Sequence, residues 1–600
     1  MIKKLKRLIL FSVLMGLQSN AVIYTIGYGN DCDFDLNNGD TLQGAINAST
    51  STELRLSKDV VVNVNGNSIV VDKPLVISGG YDNCTEAALG NLTQSSAPNT
   101  TLDGQALSRV MQINSNLTGE VVLRYLTIQN GSAGTTDPAT QSGGGIYIPP
   151  TNQADITLEN SEVTSNGAFG GGGIYFDGGS GGTLLTLKIK DTDIRNNTAR
   201  NTATSGFNGG GGVFLTGGVR LVVSGESSFQ GNTVDSTIGF AVGGGLFASA
   251  AEIYLFSAQD YQNKGFINNT SDYRGAGIYL GGDAILNVYG YPELFNGELL
   301  GNNSPYSFRN NYVNSGDTGG AIYSNNSDMY IEHARFYQNG ATNGGGAIAM
   351  NRGQLFIDAK NPDYCWREQG CNLFQNNFSG SSAAMGGGAI LADNNASVNI
   401  KHSLFHDNNA TLGTSLAILN NSSATFESAI FYQEGKLFGV SYPNQNVIYS
   451  SFSQTILRYV NVIENETQTS ILNAVGNTGE NLVFNSIFYN PLVPDIGLEN
   501  NNGTNSYDCL MADSNLAFVV LNAAAYATVF EDPTNLNFRL RPSSRAIDMC
   551  DGQALAQPTT NDLQGNYRGY DDASMNDLNG VFDAGAIEYN LDIIFRNGFE

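Results

Sequence analysis

The sequence feature that constrains the fold most is a run of glycines followed at once by an aliphatic residue, as in GGGIY at 143–147. The spacing between neighbouring copies varies, from 26 residues between Ile322 and Ile348 to 44 between Ile278 and Ile322. A supersecondary unit with loops of variable length, stacked on copies of itself, produces such a pattern. The aliphatic residues of the series are Ile146, Ile174, Val213, Leu246, Ile278, Ile322, Ile348, Ile390 and, in a degraded copy GTSLAI, Ile418.

A second repeat lies between the glycine runs, as in LENSEVTSN (158–166) and IKHSLFHDN (400–408). In the first copy Ser161 and Val163 are two residues apart, so they face the same side of a strand. The gap before them implies a bend between two short strands. Asn166 then ends the strand, because asparagine tolerates a left-handed conformation and can form a ladder when stacked.

Each unit therefore consists of a strand, a bend, a second strand, an asparagine turn, a loop and a glycine turn that supplies positive φ. No helical period is present. The pattern predicts an all-β fold, a right-handed single-stranded parallel β-helix with a short N-terminal capping helix and a C-terminal cap. In this arrangement Ile146 points into the core and Tyr147 faces outward.

The first 21 residues are typical of a secretory signal, with the basic stretch MIKKLKR followed by the apolar LILFSVLMGL. An N-terminal anchor is the alternative, although the apolar run is too short to span a bilayer. We expect an exported protein without a transmembrane segment in the mature chain. Loss of four basic residues with the signal changes the net charge from −26 to −30, which excludes nucleic acid as a partner.

An even number of cysteines in an exported chain favours disulfides. The grouping of the six residues suggests three bridges, although the sequence leaves the connectivity open. The suggested pairs are Cys32–Cys84, Cys365–Cys371 and Cys509–Cys550. The central pair brackets Trp366 in a long insertion, DYCWREQGC, and loops of this kind collect on the binding edge of a solenoid. Trp366 is therefore a candidate binding-edge residue.

These motifs resemble known families. GGAI beside FxxN is similar to the passenger repeats of chlamydial polymorphic membrane proteins, and DCDFDLNNGDTLQGAINAS (31–49) resembles the opening of secreted bacterial β-helix proteins of the pectin-lyase-like superfamily. In this stretch Leu42, Ala45 and Ile46 fall at helical spacing, and Asp40 can cap the helix. The C-terminus resembles the choice-of-anchor Q domain of bacterial surface proteins. The resemblance implies a secreted or surface β-helix protein and no particular activity. The matching C-terminal residues are Asp548, Asp562, Gly565, Arg568, Asp583, Gly585, Ala586 and Glu588.

The expected organisation follows the repeats. The predicted segments are a signal peptide at 1–21, an N-terminal cap with the first coils at 22–130, the regular β-helix at 131–440, less regular distal coils at 441–545, the C-terminal cap at 546–590, and a tail at 591–600 that is a candidate sorting signal.

The sequence assigns no catalytic residues. An outward slot holds charged residues whose alternating signs indicate a mutually paired stripe. Its members are Arg124, Glu159, Lys190, Glu332, Lys401 and Arg458. His402 and His406 flank Phe405, but no carboxylate is fixed beside them by spacing. No cofactor is predicted apart from structural Ca²⁺, because oxygen-bearing residues loosely match an EF-hand loop that has Phe582 where glycine is needed. The candidate ligands are Asp577, Asn579, Asp583 and Glu588.

Two hypotheses for the function follow. The favoured one is a monomeric, non-enzymatic surface protein for adhesion, display or glycan binding, whose partner is a host or environmental glycan or protein. The alternative is a polysaccharide lyase or glycoside hydrolase acting on the long-loop edge. Fold analogy alone cannot separate them, whereas a grouped set of carboxylates with Arg or Lys in a groove would favour the enzyme, and exposed aromatics on a flat edge would favour binding.

Overall fold

The structure is a computed structural model that describes residues 22–589 apart from several internal segments. The proposed signal peptide and the tail lie outside the described residues. The internal segments outside the description are 49, 51, 93–99, 135–140, 180–183, 202–206, 237–239, 316, 360–371, 381–384, 434, 436–445, 465–469, 477–478, 491–495, 500–503, 514–516, 522, 552–560, 570, 572–577 and 579.

The chain winds into a parallel β-helix in which each strand pairs with the equivalent strand of the next coil. Each coil contributes to three strand stacks. The first stack follows the glycine turn and contains Ile69–Val71, Met111–Ile113, Ile146–Ile148, Ile174–Asp177, the starts of Val213–Ser224 and Leu246–Phe256, Ile278–Gly281, Ile322–Asn325, Ile348–Asn351, Ile390–Asp393, Leu416–Leu419, Asn446–Ser451, Ser470–Val475 and Ile496–Glu499.

The second stack follows the first around the coil. It contains Ile23–Gly27, Glu53–Ser57, Leu75–Tyr81, Thr118–Arg124, Gln153–Glu159, Leu185–Lys190, the ends of Val213–Ser224 and Leu246–Phe256, Ile285–Tyr289, Asp328–Glu332, Gln354–Asp358 and the starts of Ser397–His406, Ser423–Tyr432, Gln454–Ile463, Asn481–Tyr489 and Asn505–Ala512.

The third stack ends at the asparagine turn. It contains Val61–Asn63, Thr100–Asp103, Leu126–Gln129, Glu162–Thr164, Asp193–Arg195, Ser228–Gln230, Gly265–Ile267, Tyr306–Arg309, Ala334–Tyr337, Asn372–Gln375, the ends of the five long distal strands, and Val519–Val520. Phe34–Asp35 adds a short strand beside the first one of the second stack.

The glycine turn uses its glycines for two different reasons. Gly143 has a φ of 66°, a left-handed conformation that a side chain disfavours. Gly145 has no such angle, but a Cβ there would lie 2.5 Å from the carbonyl oxygen of Gly173 in the next coil. The first glycine therefore makes the turn, and the later ones allow neighbouring coils to stack closely.

The predicted aliphatic ladder is confirmed. Ile146 pairs with Ile174, and the register continues without a shift to Ile390. These side chains are buried. The assignment of Ile418 to the same position was wrong, because Ile390 pairs with Leu416. In this copy Gly413 keeps the left-handed turn, with a φ of 59°, although the next two glycines are replaced.

The template asparagines form the predicted ladder. Asn166 donates from its backbone N–H and from Nδ2 to Oδ1 of Asn197, both at 3.0 Å. Equivalent bonds continue to Asn408, and all these side chains are buried. The expectation that this asparagine is itself left-handed was wrong, because the preceding residue takes that conformation, for example Asn196 with a φ of 54°. The phenylalanines at the position that Val163 holds in the first copy of the second repeat form a stack of nearly parallel rings from Phe229 to Phe431.

The loops after the asparagine turn are partly ordered as a second parallel sheet of seven strands. These are Gly167–Ala168, Thr198–Asn201, Thr233–Ser236, Thr270–Ser271, Tyr312–Val313, Gly340–Ala341 and Phe378–Ser379. Phe207–Gly209 and Phe240–Val242 form a further parallel pair, and Glu293–Phe295 and Glu298–Leu300 form a hairpin. Glu298 bonds to Lys188 at 2.9 Å, which ties the hairpin to the rod.

The N-terminal end carries the predicted helix, Leu42–Asn47, which buries Leu42, Ala45 and Ile46. Its N-cap is Thr41, which accepts a hydrogen bond from the Gly44 N–H at 3.0 Å, so the expectation that Asp40 caps the helix was wrong. The other helices are Leu36–Asn38 (3₁₀), Cys84–Leu89, Ala523–Tyr526 and Pro533–Asn535 (3₁₀). A disulfide joins Cys32 to Cys84, as the grouping suggested.

The C-terminal cap, meaning the described residues between 523 and 589, packs along the side of the last coils. It covers the outward side of the third stack, where it buries Leu404, Ile430 and Ile487. The strands Phe530–Asp532 and Asn537–Leu540 form an antiparallel pair within it. A disulfide joins Cys509 in the last coil to Cys550 in the cap.

Candidate functional site

The residues of the C-terminal motif form a buried polar network. Arg568 is fully buried, donates to the carbonyl oxygens of Gly585 and Ala586 at 3.2 and 2.9 Å, and lies 4.0 Å from the ring centroid of Tyr459. Its Nη1 is 3.5 Å from Glu588 Oε2. The network fixes the cap on the rod, which is a structural role.

Two of the four candidate calcium ligands belong to this network. Asp583 accepts hydrogen bonds from the backbone N–H groups of Asp548 and Tyr589, and Glu588 accepts one from Gly569 at 2.6 Å. Asp577 and Asn579 lie outside the described residues. Within the described part of the chain, no group of three His, Cys, Asp or Glu side chains could hold a metal ion. Calcium binding at this loop stays a prediction.

The candidate binding-edge residue Trp366 also lies outside the described residues, as do Cys365 and Cys371. The insertion that contains them follows the strand Gln354–Asp358 in the sequence. That strand belongs to the second stack, whose outward side carries the charged stripe.

The charged stripe runs along this outward side, and several of its members are paired across coils. Lys190 Nζ lies 3.8 Å from Glu159 Oε1, and Lys401 Nζ lies 3.5 Å from Glu427 Oε1. Glu159, Lys190 and Lys401 are partly exposed, and only Glu427 is buried. Pairs with partly exposed members contribute little to stability. Most of the stripe is a solvated, paired surface.

One part of the stripe differs from the rest, and we call it the Tyr330 face. It consists of Tyr330 and Glu332 on one strand, Phe356 and Asp358 on the next, and His402 on the third. The register places Tyr330 beside Phe356 and Glu332 beside Asp358. The two rings are parallel within 6°, with centroids 5.4 Å apart, and the Tyr330 side chain is exposed.

A histidine and a carboxylate meet at this face. Nδ1 of His402 lies 2.9 Å from Oδ1 of Asp358, 44 residues earlier in the chain. Burial alone would raise the pKa of Asp358, but the bond and charge of His402, together with the Ala359 N–H and the charge of Lys401, outweigh it and hold that pKa below its ordinary value. His333, one coil before Asp358, is buried. Its Nδ1 lies 2.8 Å from the Gly290 carbonyl oxygen, and burial lowers its pKa.

Sequence reasoning missed the contact between Asp358 and His402. The strand Gln354–Asp358 is a shortened copy of the second repeat, and it lacks the small and large apolar slots that define the template. Its register with the next strand places Ile357 beside Ile400, and hence Asp358 beside the turn that contains His402. The contact between Asp358 and His402 could have been predicted by aligning Ile357, in the short sequence FID, with the first aliphatic residue of the template, Ile400.

A longer aromatic stack lies on the outward side of the first stack. Its members are Tyr147, Tyr175, Phe214, Phe247, Tyr279 and Tyr323, with neighbouring centroids 4.3 to 5.5 Å apart. Neighbouring loops bury its last three members. Arg109 lies over Tyr147 at 4.5 Å and Arg274 near Tyr323 at 4.7 Å, so the protein's own cations occupy both ends. This stack is therefore mainly structural.

Within the described residues, no helix has the length and apolar character that crossing a bilayer requires. Neither the protein-family models nor the curated proteins compared with this chain give a match. The function must therefore be argued from the geometry.

Proposed function

We propose that this chain is an exported or surface-associated, non-enzymatic β-helix protein that binds glycans through the Tyr330 face. The observation that carries the proposal is the pair of parallel aromatic rings on an open face, flanked in register by Glu332 and Asp358. Aromatic carbon presents an apolar surface to sugar C–H groups, and carboxylates accept hydrogen bonds from hydroxyls. The two disulfides and the signal-like N-terminus support export.

The setting favours binding over cleavage. Asp358 is engaged by His402, and Lys401 is engaged by Glu427, so the groups that could act as acid or base already have partners. In the strand before Tyr330 the residue in register is Asn287, and in the strand after Phe356 it is Asn399. The side-chain amides of these two residues extend the polar surface along the rod. The resemblance to pectin-lyase-like and choice-of-anchor Q proteins adds support for an extracellular setting.

A polysaccharide panel tests the proposal. The full chain should bind at least one neutral or acidic polysaccharide saturably. The double variant Tyr330→Ala with Phe356→Ala should weaken that binding by about tenfold or more, since an aromatic anchor contributes ~1–2 kcal/mol. The matched control is Phe518→Ala, an exposed aromatic that lies beside Leu510 near the last coil. Equal affinity in both variants would remove the Tyr330 face from the proposal.

The alternative, a lyase or hydrolase, has one specific observation in its favour. Glu332, Asp358 and Lys401 lie on adjacent strands, with His402 bonded to Asp358, and carboxylates with a neighbouring base can perform acid–base chemistry on a glycan. Incubation with the bound polysaccharide, followed by detection of reducing ends and of unsaturated sugars, distinguishes the two. Products that form with the unaltered chain and disappear with Glu332→Gln or Asp358→Asn would establish the enzyme.

A further inference from the structure

A cavity of about 440 Å³ opens near the N-terminal end of the rod, and we call it the Asp103 pocket. It lies at the asparagine-turn edge of the third stack, where Asn63 pairs with Asp103 and Asp103 with Gln129. Its volume falls within the range typical of small-molecule sites. The lining residues are Asn63, Asp103, Gln105, Ala106, Asn130, Gly131 and Ser165.

The carboxylate of Asp103 organises the pocket. It accepts hydrogen bonds from the Gln105 backbone N–H at 2.7 Å, from Gln129 Nε2 at 2.9 Å and from Asn130 Nδ2 at 3.2 and 3.1 Å. Most of its acceptor capacity is therefore used within the protein. Asp103 holds the surrounding amides in place and is poorly suited to bind a cation directly.

The backbone around the pocket is preformed. Gln105, Ala106, Asn130 and Ser165 all adopt left-handed conformations, with φ between 54° and 57°. The turns interlock, because the Ala106 N–H donates to the Asn130 carbonyl at 2.7 Å. A rigid wall of this kind lowers the entropic cost of binding a ligand.

We propose that the Asp103 pocket binds a small, neutral, hydroxyl-rich molecule, such as a single sugar ring or a polyol. The lining offers amide N–H donors, amide and hydroxyl acceptors and one charged group, Asp103, which is already satisfied. Hydroxyl groups both donate and accept, so they match a mixed amide lining better than a fixed charge does. This inference does not rest on the proposed function.

The pocket is a site separate from the Tyr330 face. The third-stack register runs from Asp103 through Gln129, Thr164, Arg195, Gln230, Ile267 and Arg309 to Tyr337, which is on the same coil as Tyr330. Seven steps of ~4.8 Å separate the two sites by roughly 34 Å along the rod. A ligand in one site cannot contact the residues of the other unless it is a polymer.

Titration of the full chain with defined small molecules tests the proposal. The probes are glucose, galactose and N-acetylglucosamine as neutral sugars, galacturonate and glucosamine as charged counterparts, and Ca²⁺ alone. We expect saturable binding of at least one neutral sugar in calorimetry. Asn63→Ala should raise its Kd about tenfold, the size expected for one or two lost hydrogen bonds. Gln153→Ala, an exposed strand amide elsewhere, should leave the Kd unchanged.

The outcomes separate this inference from the proposed function. Tyr330→Ala should leave neutral-sugar binding intact, and loss of binding in that variant would overturn the location. Equal effects of Asn63→Ala and Gln153→Ala would overturn it too, provided that thermal unfolding shows both variants folded. Binding of none of the neutral sugars, or preference for a charged sugar or Ca²⁺, would overturn the ligand class.

Discussion

The middle of the rod and its distal coils share one core but differ on the outward side of the third stack. In the middle, the outward row contains Glu162, Asp193 and Ser228. In the distal coils, the same row contains Leu373, Leu404 and Ile430. The inward rows are alike in both regions, so the coil itself does not require the change. The C-terminal cap covers only the apolar part of this row, in the distal coils. The outward residues are therefore apolar where another described part of the chain packs on the rod and polar where none does.

The largest effect is expected from a substitution in the buried core, which the middle and the distal coils share. Ile322→Asp places a charge in the fully buried aliphatic ladder, without a partner, and should cost at least ~4 kcal/mol or prevent folding. Thermal unfolding of the purified protein, or the yield of folded protein where little folds, measures the effect. A drop in stability below ~1 kcal/mol would mean that the coil can open to water at this position.

A smaller effect is expected from the outward row, and it should depend on the region. Leu404→Asp buries a charge beneath the cap and should cost ~2–4 kcal/mol, chiefly by detaching the cap while the coils persist. Glu162→Ala, at the uncovered end of the same row, removes a pair with Arg195 on the surface and should cost less than ~0.5 kcal/mol.

Limited proteolysis with mass mapping distinguishes loss of the cap from loss of the rod. Cleavage of Leu404→Asp should concentrate between 523 and 589, with the cap fragment retained through Cys509–Cys550 until reduction. Uniform cleavage along the chain would show that the cap and the coils unfold as one unit.

The same comparison explains what the sequence could predict. The inward residues repeat with every coil, so the glycine turns and the aliphatic ladder from Ile146 to Ile390 can be read from spacing alone. The covering of the outward side depends on residues far away in the chain, such as Arg568, which bonds to Ser428 across 140 residues. No local repeat encodes such contacts.

The candidate sites follow the same division. Asp358 and His402 meet only because of register across a shortened strand, and the Asp103 pocket depends on left-handed turns in successive coils. The helix start was misassigned to Asp40 for a local reason, since Thr41 and Asp40 are both good N-caps and only the structure shows that Asp40 accepts the Asp35 N–H instead.

The smallest effect is expected from pH, and it should be seen in the cap. Burial, with the nearby charge of Glu588, raises the pKa of Asp583 well above its ordinary value of 3.8, and burial raises that of Asp562. A group whose pKa is higher in the folded state binds more protons there than in the unfolded chain. Its stabilising contribution is complete below pH 3.8 and is lost as the pH rises through the raised folded value. Hydrogen exchange, corrected for intrinsic rates, should therefore show weakening protection of the cap above pH 4, with the coils from 146 to 230 unchanged. Asp583→Asn, which mimics the protonated side chain, should flatten the profile; protection that instead rises with pH, or a variant identical to the parent, would contradict the assignment.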